Sequence, residues 1–108
     1  MSYDIIPTPN FSKEFKRLAK KYPSFKEDIN RLTQNLKENP FQGNELFKSC
    51  YKIRFAIKSK GKGKSGGGRL ITHIAVSNNK VFLLHIFDKS EMENVSDVFL
   101  KILLQDLQ

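Results

Sequence analysis

From residue 51 onward the sequence settles into a period of two. Residues 51–58 alternate strictly, with Ile53, Phe55 and Ile57 on one side and Lys52, Arg54 and Lys58 on the other, the pattern of a strand buried on one face. Residues 69–76 are rich in β-branched side chains, Asn78-Asn79 is a turn signal, and residues 81–87 are nearly all apolar. A strand apolar on both faces belongs in the middle of a sheet. Three strands joined in succession by short connections form an antiparallel meander, whose apolar face needs a covering layer of helices.

The flanking segments supply that layer with a period of 3.6. A short strand at residues 3–6 is stopped by Pro7, and Thr8-Pro9 then offers an N-cap followed by proline at the first helical position. Phe11, Phe15, Leu18 and Ala19 make one apolar stripe with the lysines outside it. Tyr22-Pro23 breaks that helix. Ser24 and Glu27 have the capping-box spacing of a second helix, whose stripe is Phe25, Ile29, Leu32 and Leu36 and whose end is Asn39-Pro40. A loop at residues 42–44 leads into the strands. After them, Ser90 and Glu93 open a final helix with the stripe Met92, Val95, Phe99, Ile102 and Leu103. The order is β-α-α-β-β-β-α, an α+β fold in which a small, mostly antiparallel sheet is packed by an N-terminal helical hairpin and a C-terminal helix. The length of 108 residues suits one core, so residues 1–108 read as a single domain.

Charge is distributed as unevenly as hydrophobicity. The net charge is +8, yet residues 46–87 hold nine Lys and Arg and no Asp or Glu, so this segment alone carries +9. A surface of that kind suits a polyanion. The one cysteine, Cys50, allows neither an intramolecular disulfide nor a cysteine-based zinc site. With no apolar run of ~18 residues and no signal-peptide pattern, the expectation is a cytoplasmic protein without membrane contact.

Within the basic segment, Lys52, Arg54 and Lys58 fall on one side of the alternation, the first two about 7 Å apart, a spacing that suits the phosphates of a nucleic acid strand. The bland alternative is a solvated sheet face, but no acid compensates these cations. Residues 58–68 form a lysine-glycine loop in which Lys58, Lys60, Lys62 and Lys64 can approach phosphates closely; its other reading is a flexible hairpin tip. Gly63-Lys64-Ser65 is not a phosphate loop of the nucleotide-binding kind, since residue 58 is Lys where the first glycine belongs and a strand follows. Arg69 opens that strand, where a guanidinium can grip a phosphate bidentately. Lys89 ends the last strand beside Asp88, whose charge would hold it protonated; the bland alternative is a surface salt bridge worth little. His73 and His85 lie within apolar strands and suit hydrogen-bonded core residues better than catalysts, and two histidines with no acid or cysteine cluster give no metal site. No cofactor is indicated.

In element order, and most densely in residues 50–54, 61–71 and 81–96, the chain resembles the RelE/HigB-type toxins of bacterial type II toxin–antitoxin systems. The glycine-lysine-serine-glycine run ahead of Arg69 is the most specific part and resembles the HigB-like branch. The resemblance implies a metal-independent mRNA endoribonuclease that enters the ribosome and is silenced by a cognate acidic antitoxin. It implies that Lys52 and Arg54 bind and activate the RNA backbone, that Arg69 stabilises the phosphate, and that Lys89 helps the leaving group. Some members carry a tyrosine in the final helix; the matching position here is Val95, which leaves the general acid and base unassigned. Two other readings stay open: a ParE-like toxin acting on DNA gyrase without cutting RNA, and an inactive toxin-like domain that only binds RNA or a partner.

Overall fold

The fold was obtained as a computed structural model that describes residues 2–92 and 94–107. In chain order it comprises β1 (Asp4–Pro7), α1 (Pro9–Lys21), α2 (Phe25–Glu38), β2 (Asn44–Glu45), β3 (Cys50–Phe55), β4 (Gly68–Ala75), β5 (Lys80–Asp88) and α3 (Asp97–Gln105). The strands form one sheet in the order β1-β5-β4-β3-β2. β3, β4 and β5 are the expected meander, β1 runs parallel to β5, and β2 is a two-residue edge strand where a loop was expected. As its composition requires, β5 is central, and every residue from Leu83 to Asp88 is buried.

The sheet is covered on both faces, not one. Phe11, Leu18, Phe25, Ile29 and Leu36 of the hairpin pack on Ile53, Phe55, Leu70, Ile74, Val81, Leu83 and Ile86. Leu100 and Leu103 of α3 pack on the opposite face, against Cys50, Ile71, Leu84 and Phe87. A strand apolar on both sides cannot leave either to water, since each buried leucine or phenylalanine contributes about 1.5–3 kcal/mol. The register shift between Ile71 and Thr72 leaves Leu84 unpaired in β5, so Leu83 and Ile86 meet the same core although three residues apart.

Three local expectations change. Thr8 caps α1 as its sequence suggests, accepting from the Phe11 amide. Ser24, however, makes no side-chain cap; its hydroxyl donates to Asp28 Oδ2 at 2.7 Å. The final helix starts at Asp97, capped by Ser96, whose hydroxyl accepts from the Phe99 amide at 3.1 Å. Ser90 is held instead by Asp88, and Glu93 lies outside the described residues. Finally, β3 ends at Phe55 instead of running to Lys58. The chain bends there to bury Ile57, and Lys58 opens a single 3-10 turn (Lys58–Lys60) whose first amide donates to Asp28 Oδ2 at 3.1 Å.

Candidate nucleic-acid interface

The alternation that sends Ile53 and Phe55 into the hairpin core leaves Lys52 and Arg54 on the α3 face of β3. Across the sheet Lys52 pairs with Ile71 and Arg54 with Arg69, and Arg69 in turn pairs with Phe87. Since Ile71 and Phe87 belong to the α3 core, Arg69 shares that face. The Lys89 amide donates to Gly67 O at 3.1 Å, carrying the ladder one step past Asp88. Lys52, Arg54 and Arg69 thus lie in register on one face of two adjacent strands, and Lys89 is exposed in the turn that follows β5. Lys58 leaves this group, because the bend after Phe55 carries it toward α2.

Two guanidinium groups directly opposite each other repel. Among the described residues, none of Lys52, Arg54, Arg69 and Lys89 forms an ion pair that would relieve them. Burial, and then the neighbouring charge of Arg54, hold the Arg69 pKa below its ordinary value. Arg69 is 5% exposed and is solvated by the loop it closes: Nη1 donates to Lys64 O at 3.0 Å and to Gly68 O at 2.8 Å, and Nη2 to Ser65 O at 3.4 Å. Arg54 is exposed. With Lys52 and Lys64 it lines a cleft of about 400 Å³ that also holds Gln42 and Asn44. Lys52 Nζ donates to Asn94 Oδ1 at 2.7 Å, which ties the site to the segment leading into α3. Nothing in the spacing of Gln42, Asn44 or Asn94 marks them in the sequence; only the folding of β2 and of the α3 approach brings them here.

The lysines of residues 58–64 divide by environment. Lys62 and Lys64 are exposed on the loop. Lys60 is turned inward, its Nζ 2.6 Å from Oδ1 of the fully buried Asp88. That carboxylate also accepts from the Tyr22 hydroxyl and from the Ser90 amide and hydroxyl. Burial works to raise its pKa, but the hydrogen bonds from Lys60, Tyr22 and Ser90 outweigh this and hold it well below the usual carboxylate range. Among the described residues Asp88 therefore pairs with Lys60 and not with its neighbour Lys89. The loop is further tied by Ser59, whose amide donates to Ser24 Oγ at 2.8 Å, and by Gly67, where an added Cβ would stand 2.2 Å from Phe55 O.

Both histidines are buried or half-buried, and burial lowers their pKa values. His85 Nδ1 lies 2.8 Å from the Asn10 amide nitrogen, which also donates to Leu84 O, so Nδ1 accepts and the proton sits on Nε2. The ring meets Phe99 of α3 edge-on at 4.9 Å. Burial pushes the Cys50 thiol up to about 11. Among the described residues no group of three or more His, Cys, Asp or Glu is placed to hold a metal ion.

A family description, the RelE toxin of the RelE/RelB toxin–antitoxin system, matches residues 10–105. Among solved structures, the isolated RelE toxin of E. coli superimposes with a TM-score of 0.63 at 18% identity, covering 96% of this chain and 98% of that one. The intact E. coli RelBE toxin–antitoxin complex gives 0.62 at 20% identity, over 81% and 96% of the two chains. The RelBE2 toxin–antitoxin complex of Mycobacterium tuberculosis gives 0.62 at 15% identity, over 82% and 99%.

Proposed function

Because the chain belongs to the family of RelE toxins of toxin–antitoxin systems, we propose that it is a ribosome-dependent mRNA endoribonuclease that cuts without a metal ion. The observation that carries this reading is the cross-strand Arg54–Arg69 pair, two like charges side by side with Lys52 in the adjoining cleft. Such a cluster is satisfied by an anion of high charge density, and a phosphodiester is one. In the reaction, the ribose 2′-hydroxyl gives its proton to solvent as its oxygen forms a bond to the adjacent phosphorus, while the bond from phosphorus to the 5′-oxygen breaks. A 2′,3′-cyclic phosphate and a 5′-hydroxyl result. Lys52 and Arg54 hold the scissile phosphate in line, Arg69 adds positive potential from behind it, and Lys89 gives a proton to the departing 5′-oxygen. Lys58, Lys62 and Lys64 attract the flanking strand. Lys60, already paired with Asp88, contributes through the loop's shape.

The natural antagonist on this reading is an acidic antitoxin segment that covers the +9 stretch at residues 46–87 and excludes RNA. Two of the similar structures are toxin–antitoxin complexes. No helix among the described residues is long and apolar enough to cross a membrane.

The test is to add the purified chain to translating ribosomes and map mRNA 5′ ends. Cuts inside translated codons are expected, and Arg54→Ala should slow them by about 100-fold, the worth of one well-placed electrostatic contact to a transition state. Growth arrest that persists in the Arg54→Ala variant without any mRNA cuts would replace this reading with the gyrase-directed one.

A further inference from the structure

The cationic surface does not stop at the α3 face. β2 pairs with β3 only at Tyr51 and Lys52, so the outer edge of β3 has no strand partner beside Arg54. A second cleft of about 270 Å³ opens there on the hairpin side and shares Arg54 and Lys64 with the first. It adds two cations, Arg31 of α2 and Lys58, both exposed, and an apolar wall at Leu32. Among the described residues Arg31 is engaged only by the exposed Glu27, at 3.1 Å, a pair worth little in water. The Asn35 amide lines the same cleft from one turn farther along α2. The one carboxylate in its lining, Asp28, is buried and already accepts from the Ser24 hydroxyl at 2.7 Å and the Lys58 amide at 3.1 Å. Four cations therefore face one committed acid.

From this geometry we infer that the second cleft is a subsite for the nucleotide flanking the scissile phosphate, so that single-stranded RNA crosses the sheet edge at Arg54 and continues over α2. The inference rests on the nuclease reading and deepens it. Arg54 and Lys64 hold the phosphate at the crossing point, Arg31 and Lys58 hold the next one, and Leu32 supports the sugar or base whose polar edge meets Asn35. Two cations at the edge and two beyond it fit successive charges of one strand, which a single shared anion would not need.

Nuclear magnetic resonance titration of the purified chain with oligoribonucleotides carrying a 2′-deoxy residue at the cut position separates the cases, because the nucleophile is gone and binding alone is read. A dinucleotide should shift signals of Lys52 and Arg54. Adding one nucleotide on one side should also move Arg31, Lys58 and the Asn35 side-chain amide, and should tighten binding roughly tenfold, as one charge-assisted contact does. In the Arg31→Ala variant most of that gain should vanish while dinucleotide binding is unchanged. If the longer oligonucleotide binds tighter with no response at Arg31, Lys58 or Asn35, or if the Arg31→Ala variant keeps the full gain, the subsite is wrong and the nuclease reading stands. If no oligonucleotide moves Lys52 or Arg54, both fall.

Discussion

Among the lysines of residues 58–64, Lys60 alone is withdrawn from solvent, and its partner explains why. Asp88 is fully buried at the end of β5, where its charge is met by Lys60 Nζ at 2.6 Å, by Lys21 Nζ at 4.0 Å, and by hydrogen bonds from Tyr22 and Ser90. Lys60→Met keeps the volume and removes the charge. It should cost about 2–3 kcal/mol in urea denaturation, the price of leaving a buried carboxylate short of a partner, whereas Lys62→Met should cost almost nothing. Equal effects of the two substitutions would mean that the ion pair does not hold the loop. The sequence offers four equivalent lysines there, because a repeat of Lys and Gly carries no record of which side chain turns inward. Arg69 likewise reads as a phosphate ligand in the sequence, while in the fold its guanidinium first satisfies the carbonyls of the loop behind it.

At the scale of elements, α3 is the instructive case. The capping-box spacing at Ser90 is not where the helix begins; Ser96, six residues on, caps it instead. Asp88 decides between them: it takes the Ser90 amide and hydroxyl for itself and leaves Ser96 to cap. Ser96→Ala should therefore destabilise α3 by about 1 kcal/mol. Amide hydrogen exchange should quicken across residues 97–105 with β5 protected as before; unchanged exchange in α3 would mean that the cap is idle. The other helices were legible almost residue by residue, since Phe11, Leu18, Phe25, Ile29 and Leu36 are buried where a 3.6 period puts them. β2 was not legible. Two residues have no period, and their pairing exists only because β3 offers an edge.

For the molecule as a whole, the buried titratable groups set a pH dependence. Burial holds His73 and His85 below the usual histidine value, so on acidification the unfolded chain takes up protons near pH ~6.5 before the folded one does. More protons on the unfolded state means falling stability, so the thermal midpoint should be level above neutrality and decline below pH ~6.5. Asp88 works at lower pH. Its folded pKa is depressed, so its contribution is complete above the unfolded carboxyl value near pH ~4 and is lost as pH falls further. Melting curves at constant ionic strength should show both steps, and His85→Gln should shrink the first. A midpoint that rises on acidification from pH ~7 to ~5.5 would contradict the burial of both rings.

The amino-acid sequence determined the hairpin helices, the meander strands and their sides, because periods of two and of 3.6 are local; in α3 the period misplaced the face, since Ile102 is exposed and Leu100 is buried. It also concentrated the positive charge in residues 46–87. Tertiary structure alone decided that Arg54 faces Arg69, that Asp88 chooses Lys60 over Lys89, and that α3 and the hairpin lie on opposite faces of the sheet. These outcomes depend on strand register, on a one-residue bulge and on which buried charge reaches which partner. Contacts between residues far apart in the chain set all of them, and no local pattern encodes such contacts.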